Sequence, residues 1–515
     1  MSRPALRPWA CGLLLLAACG GDAGRPQRAR PASTGAGNVI AVAAGEDLQD
    51  ALDGARTGDE IVLEAGATFT GPFTLPRVSG SGWITVRSSA ADALPPAGTR
   101  VSPAQAALLP KLESAEGTVL AAAPGAHHFR LVGLEIRPRA GRALKNLVTL
   151  GADETTLEAL PDSITIERCY LHGDPVKGTR RGIALNGRQL TVVDSYLADF
   201  KEVGADSQAL AGWNGPGPFR IENNTLEGAG ENILFGGADP RIEGLVPSDI
   251  TIRGNLLRKP LAWKEGEPEY AGTRWTVKNL LELKNARRVV IAGNRLENNW
   301  AESQDGFAVL FTVRNQDGAA PWSTVEDVDF RDNTVSGTAS GVNILARDDN
   351  APSGLARGIT VRNNLFEDVG SPRWGGGGRL FQVLDGAADV VIEHNTALHT
   401  GNVVTAAGRP SPGFVFRDNI VLNNAYGVAG DGTAPGAATL RAYFPGAVFR
   451  RNVVVGGPPD AYPADNFFPR TLAQVGFAAG APGGGYRLSP ASPYRGAASD
   501  GKDVGVDFAA WEAGR

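Results

Sequence analysis

The sequence contains few of the residues from which disulfide frameworks, zinc sites and histidine triads are built. Its 515 residues include 3 Cys and 5 His. Cys11 and Cys19 lie in the N-terminal segment, so Cys169 alone remains for the rest of the chain, and a disulfide framework or zinc-ligand spacing is excluded. We expect Cys169 to be a small buried residue at a bend. The histidines, at 127, 128, 172, 394 and 399, are too scattered to indicate a catalytic triad.

The sequence also lacks an excess of one charge. It has 50 basic and 55 acidic residues, for a net charge of −5. No basic patch or charged block predicts contact with nucleic acid.

No hydrophobic run at the N-terminus is long enough to span a bilayer. The apolar residues 12–18 follow Arg3 and Arg7 and end in Leu16-Ala-Ala-Cys19. This pattern resembles a bacterial lipobox, which implies cleavage after residue 18 and lipidation of Cys19. The alternative is an ordinary signal peptide with a chance cysteine. No Asp follows Cys19, so we expect the outer membrane of a Gram-negative cell, with the lipid as the one membrane contact.

Residues 20–38 are rich in Gly, Pro, Arg and Ala, a composition typical of a flexible tether. The predicted organisation is therefore a signal peptide over 1–19, a tether over 20–38 and one folded domain over 39–510. We expect a monomer.

A short phrase recurs down most of that domain: an apolar–polar–apolar strand followed by Asn. The repeated asparagines are Asn224, Asn255, Asn294, Asn333, Asn364, Asn395, Asn419 and Asn452. They lie 31, 39, 39, 31, 31, 24 and 33 residues apart. A period of this length, built from strands, indicates a solenoid.

Each phrase has one buried and one wet face, and Asn suits the bend because it tolerates the left-handed conformation. On successive coils the Asn side chains would stack about 4.8 Å apart and form a hydrogen-bonded ladder. Upstream coils keep the strand and vary the bend residue: Ser89, Leu134, Cys169 and Ser195. The pattern predicts about twelve coils, roughly 55 Å of stacked sheet.

The repeated phrase resembles the right-handed parallel β-helix of the pectate-lyase-like superfamily, an all-β fold. Residues 40–76 resemble its N-terminal cap, with Leu48, Ala51, Leu52 and Ala55 on one face of a short helix. Residues 486–507 resemble its closing segment. The resemblance implies a fold and export, and one fold hosts many functions.

Polar residues are concentrated in the coils between residues 231 and 349. In the strand around Leu281 and Leu283 the leucines should face inward, so Glu282 and Lys284 should face outward together. Arg314 and Arg347 end the strands of the next two coils. Stacking therefore predicts a ridge of three cations, flanked by carboxylates that include Asp317, Asp348 and Asp349, which could hold an acidic polysaccharide.

Such a ridge suits β-elimination of a uronate chain, in which one group neutralises the sugar carboxylate and a second removes the C5 proton. Crowded cations should lower one another's pKa and so produce the base. The arrangement is similar to that of chondroitinase-B-like and alginate lyases. This implies Lys284 as base, Arg314 as acid or charge stabiliser beside Arg347, and a Ca²⁺ held by Glu282 with Asn232 or Asp348. A lone Glu282 departs from their paired carboxylates.

We expect amide, carboxylate and aromatic side chains of these coils to contact the substrate: Asn232, Asn285, Gln304, Asp305, Asn315, Trp322 and Asn343. The loop tryptophans 213, 263, 275, 322 and 374 are either platforms for sugar rings or apolar lids on the solenoid.

Three other interpretations stay open. Glu282 and Lys284 could be a solvated surface pair without a chemical role. Asp348 and Asp349 could serve a polygalacturonase-like hydrolase, although its Gly-His-Gly motif is missing. The chain could also be a carbohydrate-binding scaffold. The concentration of polar residues between 231 and 349 favours an enzyme.

Overall fold

Each coil of the chain contributes one strand to each of three parallel sheets. The computed structural model describes residues 37–478 and 485–514, so Cys19, the lipobox and nearly all of the tether lie outside the described residues. Sheet A has 14 strands, sheet B 13 and sheet C 12, visited in that order on each coil. The predicted parallel β-helix is confirmed, and Val39–Val42 is the edge strand of sheet A.

The strands of sheet A are Val39–Val42, Glu60–Leu63, Ile84–Ser88, His127–Val132, Asp162–Glu167, Arg188–Val193, Phe219–Glu222, Ser248–Arg253, Ala286–Ala292, Val325–Arg331, Ala356–Arg362, Ala388–Glu393, Val415–Arg417 and Val448–Arg450. Those of sheet B are Thr68–Thr70, Lys111–Ser114, Glu135–Pro138, Tyr170–His172, Tyr196–Phe200, Thr225–Gly228, Leu256–Arg258, Arg295–Asn299, Thr334–Thr338, Leu365–Val369, Thr396–His399, Ile420–Leu422 and Val453–Val455. Those of sheet C are Phe73–Leu75, Leu120–Ala122, Asn146–Leu150, Arg181–Leu185, Gln208–Gly212, Glu231–Phe235, Leu281–Leu283, Phe307–Thr312, Ser340–Leu345, Phe381–Leu384, Val404–Ala407 and Val428–Gly430.

Helices are short and lie at the ends and corners of the solenoid. The α-helices are Leu48–Gly54, Ala437–Tyr443 and Phe508–Ala513, and the 3₁₀ turns are Ala91–Ala93, Pro103–Leu108, Leu157–Ala159, Leu261–Trp263, Pro459–Ala461 and Leu472–Val475. In the described part of the chain, no helix combines the length and the hydropathy needed to cross a membrane.

The asparagine ladder lies at the corner between sheets A and B. Asn224 Nδ2 donates to Asn255 Oδ1 at 3.0 Å, and the same bond repeats through every predicted member down to Asn452. The ladder runs one step further than predicted, to Asn466. Cys169 and Ser195 occupy the same corner on earlier coils and are buried, as expected, whereas Ser89 is exposed.

The left-handed residue at each bend is the one before the ladder asparagine, which corrects our assignment. Asn223 and Asn363, for example, have φ of 52° and 55°. This outer column of left-handed residues contains Gly133, Arg168, Asp194, Asn223, Gly254, Gly293, Asp332, Asn363, His394, Asp418 and Arg451. Because that residue turns the chain, the asparagine after it can point into the core, where one continuous apolar cluster fills the solenoid.

The predicted N-terminal cap is confirmed. In the helix Leu48–Gly54, Asp47 accepts hydrogen bonds from the backbone N–H groups of Gln49 and Asp50, while Leu48 and Leu52 are buried. The chain after residue 485 returns along the A–B corner. There the Asp507 N–H donates to Asn363 Oδ1 at 2.7 Å, and the Ser499 N–H donates to Asp418 Oδ1 at 2.6 Å.

Candidate functional site

The outer face of sheet C carries the predicted charged pair. Leu281 and Leu283 are fully buried in the core, so Glu282 and Lys284 face outward, as the strand alternation predicted. Lys284 Nζ lies 3.7 Å from Glu282 Oε1, and the Lys284 side chain is 12% exposed. Glu282 itself is covered by its neighbours. Lys284 is therefore the member of the pair that a ligand can reach.

Lys284 ends a column that continues onto the two preceding coils. The pairings of Gly212 with Phe235 and of Phe235 with Leu283 bring Trp213, Gly236 and Lys284 into register. Gly236 has φ of +99°, and a Cβ there would lie 2.7 Å from the Lys284 Cβ. The column thus has an aromatic ring at one end, an ammonium at the other and a glycine between them.

A second charged network, which the sequence analysis missed, lies at the start of the same strands. Arg181 Nε donates to Gln208 Oε1 at 3.1 Å, and Gln208 Nε2 donates to Glu231 Oε2 at 2.8 Å. Lys278 Nζ lies 3.2 Å from Glu231 Oε1 and 2.8 Å from Asp206 Oδ2. These residues connect three successive coils across the face.

A signal for this network exists in the sequence. Arg181, Gln208 and Glu231 are register partners, and each begins a sheet C strand two residues before the aligned apolar residues Ile183, Leu210 and Ile233. A polar residue at the same place in three coils indicates a functional or structural column. Lys278 belongs to a loop and has no such periodic position.

Burial and charge act against each other in this network. Burial raises the pKa of Glu231, while the attraction of Lys278 opposes that rise. Burial disfavours the charge of Lys278, but Glu231, Glu282 and Asp206 outweigh it and raise the pKa of this lysine. Lys278 is therefore an ammonium held by three carboxylates, and it is not available as a base.

The predicted cation ridge is present only in part. The Arg314 N–H donates to the Lys284 carbonyl at 3.0 Å, so the two residues lie on neighbouring coils. The Arg314 guanidinium, however, binds Asp348 at 3.0 Å and also Asp349. Burial disfavours the charge of Arg314, but the two carboxylates outweigh burial and raise its pKa. The prediction that crowded cations lower one another's pKa is therefore wrong for Arg314.

Arg347 differs from Arg314. It is half-buried and follows the strand Ser340–Leu345, and its side chain forms no hydrogen bond or ion pair with any residue that the structure describes. Its charge is therefore available to a ligand.

The residues predicted to hold calcium do not fit that ion. The two Asp348 oxygens accept hydrogen bonds from Arg314, the Asn315 N–H and the Asn350 N–H, which makes Asp348 a loop-fixing residue. Glu282 accepts from Asn279 Nδ2 at 3.2 Å and faces Lys284. Across residues 37–478 and 485–514, no three His, Cys, Asp or Glu side chains are grouped to hold a metal.

Four of the predicted substrate contacts have structural roles instead. Asn232 is buried and donates to the carbonyls of Leu226 and Arg258. The other three fix the loops that leave sheet C. Asn285 Oδ1 accepts from the Thr324 N–H, Asn315 Oδ1 accepts from the Ala320 N–H, and Trp322 Nε1 donates to the Leu245 carbonyl. Buried amides hold loop backbone in this way because unpaired backbone groups are costly.

The remaining predicted contacts lie at the surface. Gln304 and Asp305 are exposed in one loop, and Asp305 pairs with Arg379 at 2.6 Å. Asn343 faces outward from sheet C and accepts from Gln382 Nε2 at 3.2 Å. The structure brings Asn343 and Lys284 to the same face, on coils two apart.

The tryptophans divide between the two roles considered for them. Trp263, Trp275 and Trp374 are buried with Trp300 in a satellite cluster, so they hold loops to the solenoid. Trp213 is half-buried on the sheet C face, and the Arg181 guanidinium stacks over its ring at 5.0 Å.

The structure is similar to several solved polysaccharide-degrading enzymes. It resembles an alginate lyase from Paenibacillus sp. str. FPU-7 with 14% identity and a TM-score of 0.32, covering 84% of this chain and 99% of that chain. It resembles the PL6 family alginate lyase AlyGC with 13% identity and a TM-score of 0.47, covering 91% of this chain and 58% of that chain. The PL6 family polysaccharide lyase Pedsa3628 from Pseudopedobacter saltans has 12% identity and a TM-score of 0.39, covering 83% of this chain and 95% of that chain.

No protein-family model matches the sequence, and no curated protein matches it. The fold assignment rests on the three parallel sheets themselves.

Proposed function

We propose that this protein is a polysaccharide lyase that cleaves uronate-containing chains by β-elimination at Lys284. The observation that carries the proposal is the column on the outer face of sheet C, in which Lys284 borders Gly236 and is in register with Trp213 two coils away. A rigid sheet positions such side chains more accurately than loops do.

The length of the charged face suits a polymer. The face that runs from the strand Arg181–Leu185 to the strand Phe381–Leu384 contains seven strands of sheet C, counting these two. Their six spacings amount to about 29 Å. Outward polar residues lie near both ends of this face, including Arg181 at the first strand and Gln382 at the last.

The chemistry needs a base and a positive charge. The reaction requires Lys284 in its deprotonated form, which takes the C5 proton of the uronate; the C5 electrons form the C4=C5 double bond and the C4–O bond breaks. The leaving oxygen then takes a proton back from the Lys284 ammonium. Glu282 stabilises that ammonium while it exists, and Arg347 neutralises the sugar carboxylate. Arg314 is committed to Asp348 and Asp349, so we assign it to loop support.

The first experiment incubates the full chain with polygalacturonate, alginate, and chondroitin or dermatan sulfate. Calcium and a chelator are compared, and ultraviolet absorbance reports unsaturated sugar ends. We expect the absorbance to rise with one acidic polymer, and the chelator should not prevent that rise. Lys284→Ala should abolish it, and Arg347→Gln should slow it about a hundredfold. Lys145→Ala, at an exposed position, is the matched control. No rise on any polymer would overturn the lyase.

A second candidate is a glycoside hydrolase, and one observation favours it. Glu231 and Glu282 lie on neighbouring coils of the same face, both near Lys278. A pair of carboxyl groups, one acting as acid and the other as base, is what general acid/base hydrolysis requires. New reducing ends without ultraviolet absorbance would select this function, and Glu231→Gln should abolish it. Binding without cleavage would identify a scaffold.

We propose that lipidated Cys19 holds the protein at the outer membrane. Cys19→Ser should move the protein from the membrane fraction to the soluble fraction, and an unchanged distribution would contradict the anchor.

A further inference from the structure

Arg181 on sheet C is held by neutral groups alone. Its Nε donates to Gln208 Oε1 at 3.1 Å, and its Nη1 donates to Asn146 Oδ1 at 2.9 Å. The guanidinium lies over the Trp213 ring, 5.0 Å from its centroid. In the described part of the chain, Arg181 forms no ion pair with a carboxylate. Arg181 is linked to the Glu231 carboxylate only indirectly, through the amide side chain of Gln208.

Three other cations on this face are compensated by carboxylates. Lys278 is paired with Glu231 and Asp206, and Lys284 lies beside Glu282. Arg379, further along the face, is paired with Asp305. Burying a guanidinium without a carboxylate is costly, and proteins retain such a charge where a ligand supplies the anion.

The local surroundings orient the Arg181 side chain along the face of the sheet. The outward positions next to it on its own strand and on the following strand are Ala184 and Ala211, which are register partners. These small residues leave room for a long side chain to reach Trp213 at the far end of the strand. Two amide oxygens and one ring hold the guanidinium, and they leave its Nη2 without a hydrogen bond to any described residue.

We infer that Arg181 forms an anion-binding subsite that takes a carboxylate of the polysaccharide, three coils from the reacting sugar at Lys284. The inference rests on the proposed function, which identifies the bound polymer as a uronate-containing polysaccharide. The strands that carry Arg181 and Lys284 are three coils apart, so the two side chains are about 14 Å apart along the solenoid axis. A polymer lying along the axis contacts both.

The chemistry of the subsite favours a carboxylate. A guanidinium offers two parallel N–H groups to the two oxygens of a carboxylate. Burial lowers the pKa of Arg181 to about 10, so the group keeps its charge at neutral pH. An acidic sugar that enters the subsite supplies a carboxylate to pair with the Arg181 guanidinium. A neutral sugar leaves the guanidinium without an anionic partner. The subsite therefore selects for charge at a unit that is not cleaved.

The test uses the full chain with Lys284→Ala, which keeps polymers intact. Its migration is measured in native gels that contain alginate, polygalacturonate, chondroitin sulfate, a sulfated dextran or a neutral dextran. We expect retardation by acidic polymers, weakened about tenfold or more by Arg181→Gln. Arg181→Lys should restore part of it, because the charge returns without the paired N–H groups. Arg220→Gln, which removes a surface charge paired with Glu222 on sheet A, is the matched control.

Equal retardation of the Arg181→Gln variant and its parent, or equal retardation by the neutral dextran, would overturn the subsite. Retardation by a sulfated dextran, which has no carboxylates, without retardation by alginate or polygalacturonate would assign the subsite to a sulfate instead of a carboxylate, and so also overturn it as stated. If the intact protein cleaves no polymer but acidic retardation depends on Arg181, the subsite stands and the lyase fails. If it cleaves, Arg181→Gln should raise KM about tenfold while kcat changes little.

A second measurement does not depend on the stability of the Arg181 variants. Trp213 contacts the guanidinium, so a bound carboxylate should change its fluorescence. Acidic oligosaccharide should alter the emission of the intact protein and leave that of Trp213→Phe unchanged. The same change in both proteins would contradict the assignment.

Discussion

The Asn294 side-chain amide donates a 3.0 Å hydrogen bond to Asn333 Oδ1 on the next coil, and the Asn294 backbone N–H donates to the same oxygen at 2.9 Å. Asn333 passes the pattern on to Asn364 and also donates to the Ile291 carbonyl at 2.9 Å. Each buried asparagine therefore satisfies groups on three coils at once.

Replacing Asn333 by Ala should destabilise the protein by about 3–5 kcal/mol, because the two Asn294 donors lose their acceptor while Asn364 Oδ1 and the Ile291 carbonyl lose a donor. The comparison variant is Asn466→Ala at the partly exposed end of the ladder, where water can substitute and the loss should be about 1 kcal/mol. Urea denaturation followed by circular dichroism measures both. Equal losses in the two variants would show that the burial of a ladder asparagine does not determine its contribution to stability.

Lys259 is fully buried and donates to the carbonyls of Gly228, Ala229 and Asn279 at 2.7, 2.9 and 2.9 Å. Lys259→Met keeps the length of the side chain and removes the ammonium. We expect a loss of about 3–5 kcal/mol, since several buried carbonyl oxygens lose their donor. The exposed Lys145→Met variant should be neutral in the same denaturation experiment. A stable Lys259→Met protein would show that these carbonyls relax or bind water.

His399 should make the fold sensitive to mild acid. It is fully buried, its Nε2 accepts from the Leu422 N–H, and burial lowers the pKa of His399 to about 4, against 6.5 for the free side chain. Because the unfolded chain binds the proton more readily, this contribution is complete above pH 6.5 and decreases as the pH falls toward 4. The total is about 3 kcal/mol.

The measurement for His399 is the free energy of unfolding between pH 4 and pH 7. His399→Gln can still accept from the Leu422 N–H and cannot titrate, so its profile should be flatter than that of the unmodified protein. Parallel profiles would contradict the assignment.

Gly236→Ala should impair catalysis at Lys284 specifically. The alanine Cβ would lie 2.7 Å from the Lys284 Cβ at a backbone φ of +99°, so both strain and displacement follow. We expect a loss of about 1–3 kcal/mol in stability and a fall in lyase activity. Gly244→Ala, with φ of +71° and no atom within 4 Å of its Cβ, isolates the backbone strain. Matching activity losses in the two variants would show that displacement of Lys284 is not the cause.

The coil architecture could be predicted from the sequence because the same phrase returns at every bend. Asn466 was missed since it lies only 14 residues after Asn452 and no sheet A strand precedes it. The left-handed position was assigned one residue late because both positions of the bend favour Asn and Asp, as in Asn223-Asn224. Composition alone cannot separate two adjacent positions with the same preference.

The site was predictable only where it obeys strand alternation. Glu282 and Lys284 follow the pattern of the strand that carries them. The partners of long side chains do not, since Arg181 reaches Trp213 across 32 residues and Arg314 reaches Asp348 across 34. For the same reason Asn232 was predicted to contact a ligand. Its sequence position suggests an outward amide, whereas its side chain donates to the carbonyls of Leu226 and Arg258.

The C-terminal segment affects how the solenoid can come apart. Most contacts in a repeat protein join neighbouring coils, so unfolding can begin at an end and progress coil by coil. Here Asp507 is bound to Asn363, 144 residues earlier, and Ser499 to Asp418. Residues that are synthesised late thus bind coils that were made well before them. Fraying from the C-terminal end must first detach this clasp, which turns gradual unravelling into a single cooperative step.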